Sequence, residues 1–166
     1  MKYKLVKLNK LSGNKASIYT IHLEKEKKTL FDSFLEDNKI SFKDELKDIV
    51  SRLKVIGSKT GARDYFFKLN EGKPGDGVCA LYDKPGSNLR LYCIKYGTLI
   101  VIVGSGGYKA KSIRKLQQNK KLTEENYLLR EISAAIKTKM DDNEIEFSSD
   151  YMDFEGDLTF NNETDE

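Results

Sequence analysis

Six consecutive residues, Thr98 to Val103 (TLIVIV), put bulk on both faces of an extended chain. A strand that is apolar on both sides belongs in the middle of a sheet, away from water. That expectation organises the rest. Val78 to Tyr82 and Leu89 to Tyr96 read as strands beside it, joined by Lys84-Pro85-Gly86-Ser87. Proline there fixes the first central φ and glycine tolerates a positive second one, which is type II turn chemistry. Tyr96-Gly97 reads as a tight reversal, and Gly104-Ser105-Gly106-Gly107 as an abrupt end to the sheet.

Upstream, Tyr3 to Leu8 and Ala16 to Leu23 alternate around the turn residues Leu11 to Asn14, so a hairpin is expected. Tyr19, Ile21 and Leu23 share one of its faces. Two helices follow. Leu30, Phe31, Phe34 and Leu35 mark the first, between Thr29 and Asn38. The second carries Phe42, Leu46, Ile49, Val50, Leu53 and Ile56 at a 3.6-residue period. Ser41 with Asp44 fits a capping box at its start, and Gly57 is a plausible stop. Asn70 to Gly77 is a loop. Beyond the glycines lies a basic segment, Lys109 to Lys121. Thr123 is placed to cap a helix reaching Met140, with Leu128, Leu129, Ile132, Ala135 and Ile136 as its buried face. The predicted fold class is α+β. It comprises an antiparallel sheet with an N-terminal hairpin, two helices packed on it, three further antiparallel strands, a C-terminal helix and an acidic tail.

Charge divides this chain of 166 residues unevenly. Residues 141–166 hold eleven acids and no Lys or Arg; residues 1–140 carry a net +14. The expected organisation is a basic domain, 1–140, and a tail, 141–166. A basic body favours phosphates or an acidic surface. The tail alternates acids with Ile145, Phe147, Tyr151, Phe154, Leu158 and Phe160. Solvated tails rarely hold so many aromatics, so docking on the body, and restraint of it, is expected. No apolar run approaches about 18 residues, so no transmembrane helix is expected. The N-terminus lacks the apolar core of a signal peptide, and Cys79 and Cys93 are too few for a disulfide framework or a structural zinc site. A reduced, cytoplasmic protein without cofactor or metal is the simplest expectation.

Several chemistries are excluded by what is missing. One histidine, His22, allows no histidine pair. Gly104 to Ser112 (GSGGYKAKS) departs from the G-x-x-x-x-G-K-[ST] phosphate loop, and antiparallel strands deny it the required setting. Phosphate chemistry carried by cations and aromatics remains. RNA supplies its own nucleophile, the 2′-hydroxyl. Its cleavage needs alignment, positive charge on the developing phosphorane, and a proton relay. Arg90 on a strand, with Tyr108, Lys109 and Lys111 just past the central strand, are the catalytic candidates. Lys54, Lys59, Arg63, Lys68, Arg114 and Lys115 are candidates for gripping nucleic acid.

The order of two helices, a basic connection and three antiparallel strands resembles the RelE/ParE toxin superfamily, particularly its HigB-like, phage-type branch. The resemblance runs loosely over residues 29–111. It rests on Lys68-Leu69, Gly72 and Gly77, then Leu89-Arg90-Leu91-Tyr92-Cys93-Ile94, then Thr98 to Gly107 followed by Tyr108-Lys109. It implies a metal-independent, ribosome-associated mRNA endoribonuclease, or in the ParE branch a gyrase poison. RNA or the ribosome would be the partner, with a cognate antitoxin. Arg90 would stabilise the phosphate, and Lys109 and Lys111 would transfer protons or hold phosphate. Two other readings stay open: a binding module of the same fold, for nucleic acid or an acidic protein, without catalysis, and an interaction protein whose tail joins a partner's sheet.

Overall fold

The structure is a computed structural model that describes residues 1–82, 84–109 and 116–162. It is α+β, with three helices and a mixed sheet of mostly antiparallel strands. β1 (Lys2–Lys7) and β2 (Ser17–Leu23) form the hairpin. α1 (Leu30–Asn38) and α2 (Lys43–Val55) follow. Then come β3 (Phe67–Lys68), β4 (Val78–Leu81), β5 (Leu89–Tyr96) and β6 (Ile100–Tyr108). α3 (Leu116–Asp141) leads into β7 (Ile145–Phe147), β8 (Phe154–Gly156) and β9 (Thr159–Asn161). The large sheet runs β3-β4-β5-β6-β2-β1-β9, and β7 and β8 pair separately.

The twice-apolar strand is central. Ile100, Val101, Ile102 and Val103 are wholly buried, and β6 is fourth of seven strands. Alternation then sorts side chains to two faces. Ile100 and Ile102 face α3 with Tyr19, Ile21, Tyr92 and Ile94. Val101 and Val103 face α1 and α2 with Phe34, Leu53, Leu91 and Cys93. Each face buries a core, so the sheet lies between two helical layers.

Four expectations need correction. The sheet is not wholly antiparallel: β2 pairs with β6 in parallel, Ile18 opposite Val101. A parallel pair needs a crossover, and α1 and α2 lie within it. Ser41 is not a capping residue; the N-cap of α2 is Phe42, without a side-chain hydrogen bond. Gly57 does not end that helix. The chain continues through a wide turn, Ile56–Thr60, and stops at Gly61, whose φ is 77°. Gly57 instead allows close approach of the β1–β2 loop, its carbonyl accepting from the Lys15 and Ala16 amides. Thr123 lies inside α3, which already runs from Leu116.

The glycine run also departs from expectation. Residues 104–107 continue β6 and are buried. Leu91 pairs with Gly106 and Cys93 with Val103, so two steps on β5 face three on β6. This is a β-bulge. A side chain at Gly104 would press on Leu129 of α3, and one at Gly106 would overlap the Arg90 carbonyl. The glycines are therefore spacing residues for helix and strand.

The acidic tail is built into the fold. β9 pairs with β1, and Phe160 stacks on Tyr3 at 4.8 Å. Phe154 meets Tyr19 and Tyr96 edge-on, at 5.2 and 5.3 Å. Asp153 Oδ1 accepts from Ser17 Oγ (3.2 Å) and Tyr19 OH (3.0 Å) and pairs with Lys7 at 2.8 Å. Partial burial pushes the Asp153 carboxyl up, but the Lys7 and Tyr19 hydrogen bonds, the Lys7 charge and the Ser17 hydroxyl outweigh it, leaving it below the ordinary carboxylate range. Its stabilising contribution is complete above the unfolded carboxylate pKa of about 3.9 and is lost as pH falls through the lower folded value. Asp153→Asn should therefore lower the melting temperature at pH 7, and the difference from wild type should shrink as pH falls below the ordinary carboxylate range. Equal melting temperatures at pH 7 would show that the network contributes nothing.

Candidate nucleic-acid interface

Register places the first candidates. Leu89 pairs with Tyr108 and Arg90 with Gly107, at the end of the β5–β6 ladder remote from the Tyr96–Ile100 turn. Lys109 is next, its amide donating to the Asn88 carbonyl at 2.8 Å. Arg90, Tyr108 and Lys109 thus gather at one rim of the sheet. Lys111, Arg114 and Lys115 lie outside the described residues.

The three do not share a face. Arg90 follows the alternation of Tyr92 and Ile94 toward α3. Its side chain is about one-fifth exposed, with Nη1 4.0 Å from Glu71 Oε1. The bulge reverses the alternation of β6 beyond it. Tyr108 therefore points to the α2 side, stacked on Phe42 at 5.7 Å, with two-fifths of its surface still open. Around Arg90 the rim is polar and mixed in charge. Asn126 Nδ2 and Arg130 Nη2 donate to the Glu71 carbonyl at 2.9 and 3.1 Å. Lys121 runs past Gly107 and pairs with Glu125 at 3.2 Å. Neighbours thus fix Arg90 on the α3 side of the rim and Tyr108 on the α2 side.

The other proposed cations are elsewhere. Lys54 is exposed on α2, and Lys59 and Arg63 are exposed near its C-terminal end. The Ala62 amide donates to Thr98 at 2.7 Å, which puts Lys59 and Arg63 at the opposite end of the sheet. The length of β6, about 26 Å at the usual rise, separates them from Tyr108. Lys68 is exposed on the edge strand β3. The tail hairpin β7–β8 packs on Tyr96, also at the end away from Arg90.

Sequence reading missed Glu71, Asn126 and Arg130, the groups that hold the Arg90 side of the rim. Glu71 sits in a loop and the other two on the helix that crosses the sheet. Asn126, a buried amide between Leu122 and Leu129 on that helix, was an available signal. It missed Arg52 too, which reaches from α2 to the Tyr82 carbonyl at the end of β4 and pairs with Asp48 at 3.0 Å.

Away from the rim, a cavity of about 660 Å³ opens beside β1 and β9, lined by Lys2, Lys4, Lys139, Glu24, Glu144 and Asp157. Its mixed charge selects no ligand. His22 lines the same cavity, its Nε2 2.8 Å from the Glu26 carbonyl oxygen. Cys79 and Cys93 are opposed in register, free and buried, and burial pushes the Cys79 thiol up to about 12. Such a thiol is inert at neutral pH. Among the described residues no group of His, Cys, Asp and Glu is arranged to hold a metal, and no helix is long and apolar enough to cross a membrane. No family model, curated protein or solved structure matches the chain.

Proposed function

We propose that the protein is a RelE- or HigB-like, toxin-type endoribonuclease that acts on mRNA without a metal at the β5–β6 rim. The observation that carries this reading is the register Leu89–Tyr108 and Arg90–Gly107, which assembles Arg90, Tyr108 and Lys109 where the basic segment 109–121 begins. Arg90 offers a fixed positive charge for the phosphorane, and Lys109 a second one. The open part of the Tyr108 ring offers a stacking surface for a base. The order of two helices followed by three antiparallel strands, on which the resemblance rests, corresponds to α1, α2 and β4 to β6, with the two-residue β3 between them.

Cleavage mapping on translating ribosomes tests it. Wild-type protein should cut mRNA, and Arg90→Ala should reduce the cuts by about 100-fold or more, the usual cost of removing one charge-stabilising donor. Arg90→Lys should recover part of the loss. Absence of cuts with the wild type overturns the enzyme reading.

A second reading, a binding module without catalysis, is favoured by one feature. Arg90 already faces Glu71, and Tyr108 already stacks on Phe42. Groups so engaged can hold an anion without turning it over. RNA retention that weakens steeply with salt, with no cuts, is its signature.

A further inference from the structure

α2 segregates its charges. On one flank Glu45 accepts from the Asn88 and Leu89 amides, and Asp48 pairs with Arg52 and Lys84. These acids are committed to the neighbouring loop and strand. On the other flank Lys43, Lys47 and Lys54 are exposed, and none has an ion-pair partner among the described residues. At 100° per residue the three fall within about 40° of one another, a single cationic stripe.

The stripe borders a groove of about 470 Å³ whose floor is Leu46 and Val50. Val50 is only half-buried, and Ile40, in the turn leading into α2, is 89% exposed. An apolar floor beside a row of exposed lysines is the complement of an amphipathic helix with an apolar stripe and acidic flanks. A polynucleotide would satisfy the lysines but leave the floor of Leu46 and Val50 wet. We propose that this groove docks an acidic amphipathic helical segment of a partner protein. The proposal goes beyond the nuclease reading and stands whether or not the rim cleaves RNA.

Fluorescence anisotropy tests it with the full chain and three probes. The first is an 18-residue peptide with Leu at i, i+3, i+7 and i+10 among Glu and Ala. The second is its isomer with the leucines spread around the helix, and the third is an oligouridylate of equal charge. The striped peptide should bind at least tenfold more tightly than either other probe. Lys43→Glu with Lys47→Glu should weaken it at least tenfold, while circular dichroism stays unchanged. These surface positions make no structural contact that the exchange of lysine for glutamate breaks. Equal affinity for the isomer or the oligouridylate, or no response to the double charge reversal, overturns the proposal. Cleavage mapping is a separate readout, so loss of one reading leaves the other testable.

Discussion

Truncation after Met140 should leave a chain that does not reach the native state. The deleted segment supplies Ile145, Phe154 and Phe160 to the α3-side core, each at most 5% exposed. Burial of three such side chains is worth on the order of 6 kcal/mol, comparable with the whole stability of a domain this size. Truncation also uncovers Tyr3, Tyr19 and Tyr96, and removes the strand that pairs with β1. Near-ultraviolet circular dichroism and urea unfolding check the outcome: lost tertiary signal and no cooperative transition. A truncated chain with a native-like transition would show that the tail is an appendage. Two of its acids, Asp153 and Asp157, are tied to Lys7 and Lys139 of the body.

Gly106→Ala should destabilise the protein by about 3 kcal/mol, the upper range for overpacking. The added methyl would overlap the carbonyl oxygen of Arg90, a backbone atom that cannot swing aside. One residue further on, Gly107→Ala should be nearly neutral, since its methyl would meet the flexible Lys121 side chain at 3.6 Å. Urea midpoints of the two variants make the comparison, with unchanged slopes showing that stability alone has moved. Similar midpoints for both would mean that β5 and β6 are spaced differently at the bulge. Because the strained carbonyl belongs to Arg90, Gly106→Ala should also depress any RNA-directed activity more than its loss of stability accounts for.

The main strands and the first two helices were legible in the sequence because their signals are local. Hydrophobic period distinguishes β1, β2, β4 and β5 from α1 and α2, and burial on both sides of Thr98 to Val103 requires a central strand. The Pro85-Gly86 turn was legible for the same reason: Gly86 has φ 87° and the Ser87 amide donates to Lys84 at 3.0 Å. Gly104 to Gly107 misled because glycine signals a turn in isolation, whereas here it relieves crowding from Leu129 and from Arg90, residues far away in sequence. The tail strands carry three residues each, too few to show a period.

The candidate site divides along the same line. That Arg90 lies on a strand beside the one that leads to Tyr108 and Lys109 was legible; that β6 runs on to pair Tyr108 with Leu89 was not. Nor was it legible that Tyr108 would leave the Arg90 face for Phe42, because one extra residue in β6 reverses which side of the sheet every later side chain takes. Sequence by itself determined the main strands and helices, the central strand and the basic character of the body, since each depends on residues close together in the chain. Only the tertiary structure decided that β2 runs parallel to β6, that the acidic tail becomes core, and which cations stand together. Those outcomes depend on pairings between distant segments, whose register is chosen by packing across the whole sheet.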